Sequence, residues 1–299
     1  MPSRRTFLAS VPAFATAGRL VALDARAPVV DTHLHCFAGP DNKEFPYHKD
    51  APYEPDAATA EHLLTCMTGA GVDYAIVVQP EPYQDDHRYL EHCLAVGKGK
   101  LKGTCLFFAG RPNLKERMTE LAKKLPLVAL RIHAYNPERM PPFGEPALKD
   151  LWKLAGDLNL AVQLHFEPRF GIAFEPYIRE FRSIRVLIDH LGRPLQGTPK
   201  EHAAIVAWSK YDHVTMKLSA VPSRGVYPHR DPTMAIKQLT AAFGADRLMY
   251  GGGFGPTATL ESYRQERERI AGFLSHLSPA ERDKVFGGTA AKYFGLTRV

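Results

Sequence analysis

Eight short apolar runs, separated by helical patterns, constrain this chain more than any other feature. They read VVDTHLH (29–35), YAIVVQP (74–80), GTCLFF (103–108), VALRIHA (128–134), LAVQLHF (160–166), RVLIDHL (185–191), VTMKLSA (214–220) and RLMYGGG (247–253). Each has a continuous apolar body, as strands do when a parallel sheet is covered on both faces. Helix-start signals fall between them. Thr198-Pro199-Lys200-Glu201 and Ser278-Pro279-Ala280-Glu281 each place a hydroxyl cap three residues before a glutamate, with proline at the first helical position. Asp231-Pro232 opens another helix. Eight strand–helix units in about 270 residues match a single (β/α)8 TIM barrel in number and size. A doubly wound sheet gives no reason for eight.

Charge and composition narrow what such a barrel could do. The chain is 45% hydrophobic and 23% charged, an ordinary globular balance. Four arginines and one aspartate contributing to the formal charge of +6 lie in the first 27 residues. No run of five like charges follows, which argues against nucleic acid or a membrane surface as partner. The opening MPSRRTFLASVPAFATAG fits a twin-arginine export signal, with Arg4-Arg5 before a short apolar stretch. That stretch is too short to span a bilayer and contains Pro12. The pattern predicts a leader over 1–27, cut after Ala17 or Ala27, a periplasmic destination, and a barrel domain over 28–299. Four cysteines in an oxidising compartment could form two bridges. Cys66 sits in a helical pattern, Cys105 in a strand and Cys36 beside two histidines, so free thiols at least partly buried are expected. The sequence leaves the oligomeric state open.

Catalysis in a TIM barrel is done at the C-terminal ends of the strands, and the polar residues collect there. The first run ends in Asp31-Thr32-His33-Leu34-His35, whose two histidines at i and i+2 share a face. The fourth offers Arg131 and His133 at the same spacing. The fifth offers His165 with Glu167 two residues on, and the sixth Asp189-His190 with Arg193 behind them. The seventh gives Lys217 and then Arg224.

THLH in the first run, IDHLGRP in the sixth, MKLSA in the seventh and RLMYG in the eighth resemble the metal-dependent amidohydrolase superfamily, in particular its amidohydrolase 2 branch of lactonases and decarboxylases. VVQPEPYQDDHRYL (77–90) and the LGRP after His190 are most similar to the 2-pyrone-4,6-dicarboxylate lactonases and sugar-lactone hydrolases. The resemblance covers nearly all of the chain after the leader. It implies that His33, His35 and His165 hold a divalent metal, zinc or manganese, with an open position for an activated water. The pyrone-dicarboxylate lactonases work without metal, so the resemblance also implies metal-independent action, and the two implications stand side by side. It implies that Arg131, Arg193 and Arg224 clamp the carboxylates of a small anionic substrate, with Lys217 beside them. Arginines can bind carboxylates bidentately, although each could instead pair with a neighbouring acid such as Asp189 or Glu167.

One departure is visible. The superfamily's eighth strand ends in G-[ST]-D-W-P, whose aspartate takes the proton from water. Here Gly251-Gly252-Gly253-Phe254 puts Gly253 at the aspartate. The base must then come from elsewhere, and His190, His133 and Glu167 are the candidates by position. The expected activity is hydrolysis of a carboxylated lactone or related cyclic ester. The alternatives are a lyase or isomerase on a related acid, or a relative that binds without turnover.

Overall fold

The computed structural model describes residues 27–225 and 227–296, so all of the expected leader except Ala27 lies outside the described residues. Eight strands run in chain order: β1 Val30–Leu34, β2 Tyr74–Val78, β3 Leu101–Leu106, β4 Leu127–Ala134, β5 Ala161–Phe166, β6 Val186–Ile188, β7 Val214–Leu218 and β8 Leu248–Tyr250. Each pairs in parallel with the next, in one sheet of order β1 to β8. The intervening helices are α1 Ala60–Ala70, α2 Arg88–Val96, α3 Leu114–Lys124, α4 Pro146–Asp157, the short α5 Pro168–Gly171 and α6 Glu175–Glu180, α7 Pro199–Val206 and α8 Thr233–Phe243. Three more, α9 Leu260–Phe273, α10 Pro279–Asp283 and α11 Thr289–Phe294, follow β8. The chain is a single (β/α)8 barrel, and each of the eight apolar runs overlaps one of its strands, although β3 starts two residues before its run and β4 one residue before.

Why the runs are apolar throughout follows from which way their residues point. Leu130, Ile132, Val162, Leu164, Val186 and Ile188 pack outward against Leu148, Leu151 and Trp152 of α4 and Ile178 of α6. Each fully buried aliphatic of this kind contributes about 1.5–3 kcal/mol. The alternate residues point inward in tiers. Ala129 pairs with Ala161, Arg131 with Gln163 and His133 with His165. The lowest tier, with Val30, Leu187 and Met249, is apolar and is sealed by Ala290 of α11 and Leu296. Polar residues therefore begin one tier up and face the open end.

The sheet closes where β8 meets β1. Thr32 Oγ1 donates to the Tyr250 carbonyl at 2.7 Å, and the Gly252 N–H donates to Asp31 Oδ1 at 2.8 Å. Tyr263 of α9 donates its hydroxyl to Asp31 Oδ2 at 2.6 Å. Burial pushes the Asp31 carboxyl up to about 6, against the pull of its Tyr263, His33 and Gly252 donors. A β-carbon on Gly251 would lie 2.8 Å from the His33 backbone nitrogen, so the approach of the two strands requires glycine there.

Both capping boxes form. Thr198 and Ser278 each accept from the backbone of the glutamate three residues on and receive its carboxylate in return. The four cysteines are buried free thiols. Among the described residues no helix is long and apolar enough to cross a membrane.

Candidate active site

The sixth strand is shorter than its apolar run suggests, and the chain does something unusual where it stops. His190, Leu191, Gly192 and Arg193 take φ values of 54, 60, 66 and 51°, four successive residues in the left-handed region. The turn is closed by the Arg193 N–H on the His190 carbonyl at 2.8 Å. Residues with side chains resist this region by roughly 1–2 kcal/mol each. Such strain persists only where the surrounding packing enforces it, and it gathers at functional sites. Here it delivers Asp189, His190 and Arg193 to the barrel mouth within five residues.

Asp189 is the hub. Its Oδ2 accepts from Arg131 Nε at 2.8 Å and from Gln163 Nε2 at 3.1 Å, and its Oδ1 lies 3.1 Å from His33 Nδ1. Lys217 Nζ stands 3.8 Å from Oδ1 and donates to Gln163 Oε1 at 2.7 Å, where Thr104 Oγ1 also donates. Burial alone would raise this carboxyl. Its contact with His33 and the positive charges of Arg131 and Lys217 overcome that and hold it well below the usual carboxylate range. Lys217 is fully buried, and desolvation lowers its ammonium to about 8 despite Asp189. It lies in the barrel interior with Gln163 and Asp189 as partners, where the expectation had put it beside a substrate carboxylate. Arg131 does pair with a neighbouring acid, yet only through Nε. No described residue accepts from either Nη, so that edge remains for a ligand.

His33 gains the most from this hub. Burial depresses its pKa to about 4, with Asp189 pulling the other way, so the ring is neutral at pH 7. Its proton then sits on Nδ1, toward Asp189, and the Nε2 lone pair is buried with no protein partner. His190 lies alongside, ring centroids 4.4 Å apart, with its own Nδ1 on Ser219 Oγ at 3.0 Å. Ligand atoms of His33, Asp189 and His190 lie within 4.8 Å of one another, the one such group among the described residues.

The expected trio of His33, His35 and His165 is therefore not the group the structure gathers. His165 Nε2 accepts from Arg193 Nε and Nη2 at 3.2 and 2.8 Å, which uses its lone pair. His35 directs Nδ1 to the Val78 carbonyl at 2.7 Å, its ring 5.2 Å from that of His33. His190, expected as a base, takes the second imidazole place instead. His133 meets His165 Nδ1-to-Nδ1 at 3.1 Å, within the same ring of groups. Glu167, the third base candidate, is paired at 2.6 Å with Arg169 at the start of α5. Arg224 is exposed on the loop after β7, its carbonyl held by His229, and makes no hydrogen bond or ion pair with the cluster.

Three contributors escaped the sequence reading: Gln163, Ser219 and Tyr135, whose ring stacks on His165 at 4.9 Å. Gln163 carried a usable signal, since it is polar inside LAVQLHF and two residues before His165, hence on the same face. Ser219 follows Lys217, and Tyr135 follows His133, at that same spacing, but each lies one residue past its strand, where the spacing no longer fixes a face. At the end of β8, Gly253 has φ 109°, and a β-carbon there would meet Tyr263 Cδ2 at 2.9 Å and Glu266 Cβ at 3.1 Å. A side chain at 253 would point at α9.

Comparison with known proteins agrees with the barrel fold. The sequence pattern of the family described as Amidohydrolase (Amidohydro_2) matches residues 30–296. An L-fucono-1,5-lactonase of Burkholderia ambifaria is 26% identical over 294 residues, covering 90% of this chain and 96% of its own. Among solved structures, a Pseudomonas putida protein assigned to 2-pyrone-4,6-dicarboxylic acid hydrolysis superposes with a TM-score of 0.74 at 22% identity, covering 91% of this chain and 99% of that one. A Burkholderia multivorans amidohydrolase with bound zinc gives 0.74 at 20% identity, covering 91% and 100%. At such identities the structural likeness carries the fold. The match of the family pattern across the whole barrel carries more: the chain belongs to the amidohydrolase family and is a hydrolytic enzyme of it.

Proposed function

We propose that the protein opens a lactone that carries a carboxylate, by hydrolysis, at the cluster around Asp189. The observation that carries this reading is His33. Its Nδ1–H is tied to a buried carboxylate, and its Nε2 lone pair is buried, unpartnered and beside a second neutral imidazole. A carboxylate that fixes the tautomer and orientation of a histidine is the arrangement that makes the opposite nitrogen a proton acceptor or a metal ligand. With no ion on it, His33 Nε2 is the proton acceptor, in place of the acidic side chain lacking at Gly253.

The donor set fits a divalent ion such as zinc or manganese. His33 Nε2 is buried and unpartnered, and ligand atoms of His33, His190 and Asp189 gather within 4.8 Å of one another. When bound there, the ion would polarise the lactone carbonyl and lower the pKa of a water. The chain's own groups do the rest. The free Nη edge of Arg131 holds a substrate carboxylate, and the half-buried Arg193, stacked 4.7 Å over Tyr135, adds positive charge on the same side. The buried cations Lys217 and Arg131 keep Asp189 ionised, so His33 stays in the tautomer that leaves Nε2 open. Water adds to the carbonyl, the ring C–O bond breaks, and the new carboxylic acid releases its proton. The B. ambifaria lactonase supports a lactone substrate, and the pyrone-dicarboxylate relative supports one that carries carboxylates.

Acid release tests this. With metal-replete protein and a panel of aldonic-acid and dicarboxylated lactones, one proton should appear per ring opened. His33→Asn should lower kcat by about 10²-fold or more, the scale of a lost acid–base group. No acid from any member of the panel would sink the hydrolase reading, and carbon dioxide in its place would assign a lyase.

A further inference from the structure

Arg193, His165 and His133 form a chain of hydrogen bonds whose direction is set at one end. A guanidinium can only donate. Arg193 donates through Nε and Nη2 to His165 Nε2, so that nitrogen carries the lone pair. A neutral imidazole has one N–H, which His165 must then bear on Nδ1 and donate to His133 Nδ1, 3.1 Å away. His133 accepts at Nδ1 and consequently bears its own proton on Nε2. That Nε2 is buried without a partner. Tyr135 stiffens the chain, its ring stacked 4.9 Å from that of His165 at an interplanar angle of 12° while Arg193 lies over its face.

The opposite arrangement is close at hand. Glu81 Oε2 lies 3.6 Å from His133 Nδ1 and, after a small shift, would accept from an N–H there if His165 did not donate to that nitrogen. What decides between the two tautomers is Arg193, two links away. His133 also borders a cavity of about 90 Å³ walled by Leu106, Met140, Leu148 and Leu151. A buried, unpartnered N–H interacts strongly with any acceptor that reaches it.

We propose that His133 docks a carbonyl or carboxylate oxygen of the ligand as a hydrogen-bond donor through Nε2–H, and that Arg193 is the positioning residue that holds it in this tautomer through His165. The assignment departs from a role for His133 as base and for Arg193 as a direct carboxylate clamp. Only the identity of the docked oxygen rests on the lactonase reading. The tautomers do not.

The test is long-range proton–nitrogen correlation NMR on protein labelled with ¹⁵N-histidine, with His133→Gln and His165→Asn giving the assignments. In the wild-type protein His165 should appear as the Nδ1–H tautomer and His133 as Nε2–H. Arg193→Met should abolish the preference at His133, and Arg193→Lys, which keeps a donor, should restore part of it. Titration with glutarate, a dicarboxylate with no bond to hydrolyse, should shift the His133 Nε2–H signal downfield. A wild-type His133 found as Nδ1–H or as imidazolium overturns the proposal, whatever the fate of the variants. So does an Arg193→Met protein with unchanged tautomers, or a glutarate titration that leaves the signal in place. Because none of these readouts involves turnover, a protein that passes them and opens no lactone would refute the proposed function alone.

Discussion

At the scale of single residues, this barrel buries charge only where several partners meet it. Asp189 is ionised because Arg131, Lys217, Gln163 and His33 converge on it, and the same convergence decides what each histidine can do. The strand-end histidines and arginines were legible in the sequence, since period-two spacing fixes which face they share. Which nitrogen each one keeps free was not legible, because that depends on neighbours as far as 156 residues away, as for His33 and Asp189. His87, outside the site, shows how titration follows. Burial depresses it to about 4, and its Nε2 accepts the Leu106 N–H at 3.1 Å, which requires the neutral ring. The folded value lies below the ordinary one near 6.5, so the unfolded chain takes up the proton first. Stability should therefore be full above about pH 6.5 and fall as pH drops toward 4, on the order of 3 kcal/mol from this residue. Urea melts at pH 7.5 and 4.5 should show that His87→Gln loses distinctly less than wild type on acidification. Equal losses would count against His87 as a source of the acid sensitivity.

At the scale of elements, the helix starts read most directly from sequence, because a capping box is a contact between residues three apart. Strand ends read least well. The apolar run through Leu191 looked like strand to its last residue, yet β6 stops at Ile188 and the chain enters a left-handed turn. No local propensity favours that turn, and only the packing at the barrel mouth enforces it. The glycines after β8 divide in a similar way. Gly251 permits close contact with β1, while Gly253 sits at φ 109° with α9 against it. Restoring an aspartate by Gly253→Asp should thus strain the backbone by about 1–3 kcal/mol and lower the thermal midpoint, without raising the rate of lactone opening. A faster enzyme of unchanged stability would show that position 253 does face the site.

At the scale of the whole molecule, eight repeats must close on themselves, and the closure is a special joint. Asp31 takes donors from β8, from its own strand and from α9, so one buried carboxyl pins the first strand, the last strand and a helix together. Tyr263→Phe removes one donor from it and should cost about 1–3 kcal/mol in urea unfolding. An unchanged midpoint would mean that α9 does not hold the seam. The number of strands, their parallel order and the tier of polar residues at one end were fixed by the sequence alone, because apolar periodicity and repeat spacing act over short stretches of chain. Which side chains come together was decided only by the tertiary structure. His190 beside His33, Lys217 beneath the site, Glu167 paired with Arg169 and Arg224 left in solvent all follow from which side chains compete for the same lone pairs and charges once the barrel has closed.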